Sequence, residues 1–263
     1  EIYPDNCVFL VDTYNVLKSG VPNAIRVANE VLAPMGIRPK GIRLDPGDIA
    51  YLSIQARKML DDAGYADMQI MASNSLDEYL VTDLLAQGAQ IDSFGIGERL
   101  ITSKSEPVFG GVYKLAAVED EAGNTIPKIK VSENVEKITT PHFKKVYRLF
   151  GKTSGKALGD VLCVHDEVID DSAPYTLFDP IHTWKKKTLQ DYVAKPLLVQ
   201  LFKQGEKVYQ SPDIETIRDY CQEQLDTLWD QVKRFEYPQT YYVDLSKKLW
   251  QVKNDLLAGC RVE

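Results

Sequence analysis

The sequence predicts an α/β fold for its first hundred residues, followed by an α+β region with a different pattern. Up to about Lys104, short apolar runs alternate with amphipathic stretches of helical period. Strands that alternate with helices favour a parallel sheet, because parallel strands need a crossover between them. From Val112 onward, apolar and polar residues alternate as in antiparallel strands, and helical stretches follow. We therefore predict two domains, residues 1–104 and residues 105–263, with the second packed on the first.

Four apolar runs of the first domain are typical of buried strands, and each ends in a polar or glycine-containing cluster. The helix after the second run has Asp45 as its predicted N-cap, with Pro46 at the first helical position. The helix after the third run is predicted to begin with a capping box of Ser75 and Glu78. The four runs are residues 8–11, 41–44, 69–72 and 91–94.

The number of strand–helix units leaves two architectures open. Four units of this kind are half of a closed eight-stranded barrel. A half-barrel leaves two strand edges unpaired, which soluble proteins generally avoid. The first domain is therefore either a small open sheet or the second half of a barrel whose other strands lie outside this sequence.

The second domain is predicted to combine antiparallel strands with C-terminal helices. The long middle helix has Ser211 as its predicted N-cap, Pro212 at its first position and an apolar face that includes Ile214 and Leu225. The strands are expected at residues 112–118, 128–131, 145–149 and 161–164, and the helices at about residues 189–203, 212–233 and 245–258.

Composition argues against several classes of function. The chain has 263 residues, of which 44% are hydrophobic and 26% charged, so it is long enough to bury a substantial core. Its net charge of −7 argues against a nucleic-acid-binding protein, which needs a basic surface. No apolar run reaches the length of about 20 residues that crosses a bilayer, and we expect no signal peptide. The widely spaced Cys7, Cys163, Cys221 and Cys260 are expected to be reduced thiols of a cytoplasmic protein.

The polar clusters after the predicted strands form the candidate site, because ligands of parallel α/β proteins bind at the carboxyl ends of the strands. Arg43 interrupts an apolar run two residues before Asp45, and alternation along a strand points both side chains the same way. An ion pair between them is one interpretation, since a half-buried Arg needs an anionic partner. Alternatively, Asp45 accepts hydrogen bonds from sugar hydroxyls while Arg43 holds a ring or an anionic group.

Two further clusters suggest phosphate binding. Gly95 and Gly97 permit close approach of the backbone, whose N–H groups bind phosphate oxygens, although a tight strand-to-helix turn explains the same glycines. Ser73 and Asn74 end the preceding strand, and paired phosphate sites after neighbouring strands recur in (β/α)₈ barrels. Asp12 ends the first strand, where it either caps the next turn or faces a metal–pyrophosphate group.

Together these segments resemble the later barrel strands of the nicotinate phosphoribosyltransferases, in the same order and spacing. The likeness covers essentially the whole chain. The segments that carry it are residues 9–15, 41–48, 72–78, 94–97, 110–115, 127–132, 180–183 and 243–246.

The resemblance implies a type II phosphoribosyltransferase: an irregular (β/α) barrel with a second domain, working as a homodimer. It implies that nicotinate and phosphoribosyl pyrophosphate give nicotinate mononucleotide and pyrophosphate, with Mg²⁺ and with coupled hydrolysis of ATP as a co-substrate. By their places in the matching motifs, Arg43 and Asp45 would be catalytic and contact the ribose, with Asp12 on the magnesium–pyrophosphate side. The residues that would hold the 5-phosphate are Ser73, Asn74, Gly95 and Gly97.

The chain departs from the family pattern at two points. Pro46 stands where members commonly have Ser, which removes a hydroxyl and an N–H from that loop. None of His142, His165 and His182 lies in the Ala-His-Ser type of segment whose histidine the family phosphorylates from ATP. We therefore expect the chain to be the C-terminal portion of a longer protein. The alternative functions are a sister phosphoribosyltransferase for nicotinamide or quinolinate, and a catalytically silent binding or scaffold module.

Overall fold

The computed structural model describes residues 2–45 and 47–260. The chain divides into two compact units, Glu1–Gly111 and Val112–Glu263, a few residues after the boundary predicted from the sequence. Pro46, the first departure from the family pattern, lies outside the described residues. Among the described residues, no helix combines the length and the apolar character that a membrane span requires.

The first unit contains a parallel sheet whose strands follow one another in chain order. Neighbouring strands pair in parallel, so that Leu10, Arg43, Met71 and Ser93 form one row across the sheet. The parallel sheet predicted from the sequence is therefore confirmed, although its first and last strands are shorter than predicted. The strands are β1 (Val8–Leu10), β2 (Gly41–Leu44), β3 (Gln69–Ala72) and β4 (Ser93–Phe94).

Helices cover one face of this sheet. The crossover after β1 runs from Val16 to Met35 and changes between π-helical, α-helical and 3₁₀ geometry around α1 (Val21–Val27). Gly20 is required there, because a Cβ atom at this position would lie 1.9 Å from the carbonyl oxygen of Val11. The later helices are α2 (Ile49–Asp62), α3 (Glu78–Ala86) and α4 (Glu98–Ile101).

The two faces of the sheet differ in exposure. On the helix-covered face, Ile42, Leu44 and Ile70 are fully buried in a core that also contains residues of α1 and α2. On the opposite face, the residues Val8 and Leu10 are 45% and 57% exposed. Both faces of a parallel sheet are normally covered. The described residues therefore leave one face of this sheet open.

The helices begin later than the sequence predicted. Asp48 caps α2 by accepting from the Tyr51 N–H at 3.0 Å, and Asp77 caps α3 by accepting from the Leu80 N–H at 2.9 Å. The predicted caps at Asp45 and at Ser75 are therefore wrong. An N-cap normally has extended backbone, whereas Ser75 has a φ of 47°.

The second unit is built around a mixed sheet of four strands, which lie in the order β11 (Tyr192–Pro196), β7 (Lys144–Gly151), β8 (Ala157–Val164) and β14 (Val243–Leu245). The pair β7–β8 is antiparallel, as predicted, and β11 also pairs antiparallel with β7, whereas β14 lies parallel to β8. Tyr147, Leu149, Val161 and Tyr192 are buried in its core. The strands are β5 (Ala117–Glu119), β6 (Thr125–Pro127), β7 (Lys144–Gly151), β8 (Ala157–Val164), β9 (Tyr175–Phe178), β10 (Lys186–Leu189), β11 (Tyr192–Pro196), β12 (Phe202–Lys203), β13 (Glu206–Lys207) and β14 (Val243–Leu245); the helices are α5 (Ile214–Thr227) and α6 (Lys247–Gly259).

Several predictions for this unit are wrong. The helix predicted at residues 189–203 is replaced by β11 and β12, because a short apolar run does not distinguish a strand from a helix. The strand predicted at residues 128–131 is absent from the described structure, and the one predicted at 112–118 is reduced to β5. The helix α5 is capped by Asp213 rather than Ser211 and ends at Thr227. The last helix is confirmed as α6.

Candidate functional site

The carboxyl ends of β2, β3 and β4 bring together four of the residues predicted for the site, namely Arg43, Asp45, Ser73 and Gly95. The Ser73 N–H donates to the Leu44 carbonyl at 2.9 Å, and the Gly95 N–H donates to the Ala72 carbonyl at 2.7 Å. These bonds continue the parallel register one residue beyond the strands. Ser73 therefore lies beside Asp45 on one side and beside Gly95 on the other.

Arg43, Asp45 and Ser73 form a closed set of hydrogen bonds at this edge. Arg43 donates from Nε to Ser73 Oγ at 2.9 Å and from Nη2 to Asp45 Oδ2 at 2.7 Å. The Ser73 hydroxyl donates to the same Asp45 oxygen at 2.7 Å. The ion pair, which was one interpretation of the sequence, is therefore present, and it includes a serine that the sequence did not connect with it.

The electrostatics of this set favour an ionised carboxylate. The hydrogen bond from Ser73 lowers the pKa of Asp45 and outweighs the opposing effect of desolvation, and the bond from Arg43 lowers it further. The side chains of Arg43 and Asp45 are 45% and 36% exposed. Asp45 Oδ1 and Arg43 Nη1 have no hydrogen-bond partner among the described residues. Both atoms therefore remain available to a ligand.

The backbone after β3 adopts a conformation that is unusual outside glycine. Asn74 and Ser75 have φ angles of 90° and 47°, in the left-handed region. Such residues cluster at functional sites, and successive N–H groups in a turn of this kind form a concavity that binds anions. Within the described chain, the N–H groups of Asn74 and Ser75 have no acceptor. This backbone therefore leaves two N–H donors free next to Ser73.

The two predicted glycines differ in what the structure requires of them. A Cβ atom at Gly95 would lie 3.3 Å from the Cβ of Ser73, so a glycine keeps this contact free of crowding. A Cβ atom at Gly97 would have no neighbour within 4 Å. Gly97 is the N-cap of α4, a helix of four residues. Gly95 therefore belongs to the packed part of the site, whereas Gly97 lies at its margin.

Asp12 does not cap the turn that follows it. That position belongs to Asn15, which accepts from the Lys18 N–H at 2.7 Å. The Oδ2 atom of Asp12 is buried and has no hydrogen-bond partner among the described residues. Buried carboxylate oxygens are rarely left unpaired. The carboxylate therefore retains the capacity to accept a donor or to contact a cation.

Ser93 is a residue of this region that the sequence analysis missed. Its Oγ is buried and has no partner among the described residues. By register it lies in the same row of the sheet as Arg43, separated from it by Met71. The sequence feature that could have identified Ser93 is its hydroxyl, which interrupts the apolar run of residues 91–94 on the same face of the sheet as Arg43.

The described residues include no cluster of three or more His, Cys, Asp or Glu side chains that could hold a metal ion by themselves. A cation at Asp12 would need further oxygen atoms from a bound ligand, which is a common arrangement for Mg²⁺. The cysteines Cys7, Cys163, Cys221 and Cys260 are all free thiols.

Comparison with known proteins gives consistent results in sequence and in structure. Residues 143–253 match the model of the nicotinate phosphoribosyltransferase C-terminal domain. The chain is 46% identical to a nicotinate phosphoribosyltransferase of Bacillus subtilis over 250 residues, which cover 94% of the chain and 50% of that protein. It is 32% identical to the human nicotinate phosphoribosyltransferase over 257 residues, which cover 95% of the chain and 46% of that protein.

A solved structure supports the same relationship. The crystal structure of human nicotinic acid phosphoribosyltransferase superposes with a TM-score of 0.74 at 28% identity, covering 97% of the chain and 48% of that structure. The match includes a mixed α/β fold with parallel and antiparallel sheets. In each of these comparisons the chain spans about half the length of its relative.

Proposed function

Because the chain belongs to the nicotinate phosphoribosyltransferase family, we propose that it supplies the C-terminal portion of an enzyme that makes nicotinate mononucleotide. The substrates are nicotinate and phosphoribosyl pyrophosphate, and the second product is pyrophosphate. The observation that carries the proposal is the hydrogen-bonded set of Arg43, Asp45 and Ser73 beside the left-handed backbone of Asn74 and Ser75. In the proposed enzyme, Asp45 would accept from sugar hydroxyls, and the neighbouring backbone N–H groups would donate to a phosphate.

The free atoms of the pair fit the two charges that develop in such a transfer. As the bond to pyrophosphate breaks, positive charge builds on the ribose ring and negative charge on the leaving group. Asp45 Oδ1 accepts from ribose hydroxyls and stabilises the ring, while Arg43 Nη1 donates to an anionic oxygen of the substrate. Fixed charges of this kind, aimed at developing charge, typically contribute about 3–4 kcal/mol each to lowering the barrier.

The backbone after β3 is the proposed holder of the 5-phosphate. The N–H groups of Asn74 and Ser75 donate to its oxygens, and Gly95 keeps the neighbouring loop close. Mg²⁺ bound with the pyrophosphate would neutralise the charge of the leaving group. The unpaired Oδ2 of Asp12 supports a place for that cation at the end of β1, in contact with Asp12 either directly or through water.

The open sheet is proposed to be the second half of an irregular (β/α) barrel. Its exposed face carries Val8, Leu10 and Arg43, and a barrel would enclose this face while pairing β1 and β4 with further strands. We place those strands in the part of the relatives that the chain does not cover. From the family resemblance we also propose ATP as co-substrate, a homodimer and a cytoplasmic location.

The test is an assay of the full-length protein with nicotinate, nicotinamide and quinolinate, each with phosphoribosyl pyrophosphate and ATP. We expect turnover with nicotinate, and a fall in kcat of about 10²–10³-fold for Asp45→Asn. The matched control is Asp67→Asn, because Asp67 is also an exposed partner of an arginine, Arg38, in the same unit. That variant should keep its activity within about twofold, as expected for a surface ion pair.

Two other results would replace the proposal. A clear preference for nicotinamide or quinolinate would assign the chain to a sister transferase. A folded wild-type protein that gives no heat with phosphoribosyl pyrophosphate in calorimetry would favour a silent binding or scaffold module.

A further inference from the structure

Resting on the proposed function, we propose that Ser73 is a positioning residue that fixes Arg43 and Asp45, and that it does not itself bind the phosphate. This differs from the role that the family resemblance implied for it. The distinction matters because the two roles predict different consequences when the hydroxyl is removed.

The inference depends on the number of hydrogen-bond donors that Ser73 has. A serine has one hydroxyl proton and one backbone N–H to donate. The hydroxyl proton is directed at Asp45 Oδ2 at 2.7 Å, and the N–H is directed at the Leu44 carbonyl at 2.9 Å. A phosphate oxygen needs a donor, and Ser73 has none left. The side chain is also nearly enclosed, since the residue is only 7% exposed.

The hydroxyl instead links the two charged groups. It accepts from Arg43 Nε and donates to Asp45 Oδ2, so it holds one edge of the guanidinium and one carboxylate oxygen together. The remaining atoms, Arg43 Nη1 and Asp45 Oδ1, are left without a hydrogen-bond partner among the described residues. Gly95 makes room for this link, because a side chain there would press on the Cβ of Ser73.

The hydroxyl also has an electrostatic effect. Its hydrogen bond is the largest cause of the lowered pKa of Asp45. Without it, the carboxylate would take up a proton at a higher pH than it does in the wild type. A residue that acted only by filling space would not produce this change.

The experiment compares Ser73→Ala with the wild-type full-length enzyme across the acid range. We expect kcat to fall about tenfold to a hundredfold, in line with the cost of misplacing reacting groups. The acid limb of the kcat/KM profile should move to higher pH, while the dissociation constant of phosphoribosyl pyrophosphate changes less than about threefold. Ser105→Ala is the control, because Ser105 is exposed and has no hydrogen bond within the described chain. Ser73→Thr, which keeps the hydroxyl, should restore the position of the acid limb.

The opposite pattern would overturn the proposal. If Ser73→Ala weakened binding of phosphoribosyl pyrophosphate about tenfold and left the acid limb in place, Ser73 would be a direct phosphate contact. Failure of the proposed function is a separate outcome, seen as a wild type inactive with nicotinate. In that case, titration of ¹³C-labelled aspartate by NMR still tests Ser73, and an unchanged pKa of Asp45 in Ser73→Ala would rule out the link.

Discussion

Arg43–Asp45 in the first unit and Arg148–Asp160 in the second are both Arg–Asp pairs, and they differ in which carboxylate oxygens their hydrogen bonds leave free. In the second unit, Arg148 grips Asp160 with two parallel bonds, Nε to Oδ1 at 2.9 Å and Nη2 to Oδ2 at 3.0 Å. Tyr241 donates a third bond to Oδ1 at 2.8 Å. In the first unit, both bonds to Asp45 end on a single oxygen.

The two pairs also differ in how far their side chains are exposed to solvent. The side chains of Arg148 and Asp160 are 20% and 10% exposed, against 45% and 36% for Arg43 and Asp45. Burial, followed by the hydrogen bond to Asp160, raises the pKa of Tyr241, which therefore stays a neutral donor. In Arg148–Asp160 both carboxylate oxygens already accept hydrogen bonds from the protein, so this pair is suited to stabilising its own unit. A pair with one free oxygen and one free donor at an exposed edge is suited to a ligand.

The largest expected effect separates the two pairs by stability. Asp160→Ala removes one partner of a largely buried pair, and we expect it to lower the free energy of unfolding by about 3–5 kcal/mol. Asp45→Ala should lower the free energy of unfolding by less than about 1 kcal/mol, because solvent screens an exposed ion pair. Urea unfolding of both variants measures the difference.

Replacing both partners is the control for this prediction. Arg148→Met combined with Asp160→Leu leaves no unpaired charge. The double variant should therefore regain most of the free energy of unfolding that Asp160→Ala loses. Equal losses for Asp160→Ala and Asp45→Ala would contradict the division into a structural and a ligand-binding pair.

A smaller effect concerns a buried carboxylate that forms no side-chain hydrogen bond or ion pair with the described residues. Asp244 on β14 is 5% exposed, and burial, with a contribution from Asp179, raises its pKa to about 6. The folded protein therefore binds this proton more tightly than the unfolded chain, so its contribution to stability falls as the pH rises from about 4 to 6. Above pH 6, Asp244→Asn should be more stable than the wild type by about 2–3 kcal/mol.

The measurement is urea unfolding of the wild type and Asp244→Asn at pH 7.5 and pH 4.5. The advantage of the variant should be present at the higher pH and largely absent at the lower one. Asp219→Asn on the exposed helix α5 is the control and should change little at either pH. An advantage that is the same at both values would mean that Asp244 does not titrate in this range.

The smallest expected effect tests the open face of the sheet. Leu10→Ala should change the free energy of unfolding of this chain by no more than about 0.5 kcal/mol, because Leu10 is 57% exposed. Leu44→Ala, on the buried face, should cost about 2–5 kcal/mol. In the full-length protein the cost of Leu10→Ala should rise to more than about 1 kcal/mol. A cost that does not rise would contradict a barrel that encloses this face.

The sequence predicted the pairing of Arg43 with Asp45 better than it predicted where the surrounding helices begin. Periodicity located β2, β3 and α2 because their buried faces are continuous, and alternation correctly paired Arg43 with Asp45. The observed caps Asp48, Asp77 and Asp213 each lie two or three residues after the predicted ones. Polar loops contain several residues that could serve as an N-cap. Which of them caps the helix depends on the three-dimensional path of the loop.

Other features depend on contacts that a local pattern does not contain. The link through Ser73 joins residues 30 positions apart in sequence. The strand β11 appeared helical because its identity comes from pairing with β7, as in Pro196 opposite Tyr147. The unpaired oxygens of Asp12 and Ser93 are visible only once their surroundings are built.

The parallel strand β14 has a consequence for synthesis on the ribosome. It pairs Leu245 with Leu162 of β8, so the edge of β8 is closed by residues made more than eighty positions later. Contacts so distant in sequence form slowly. Until residue 245 has left the exit tunnel, the nascent chain presents an unpaired strand edge that invites association with other chains. We expect chaperone dependence to be greatest in this interval, and to end when β14 docks.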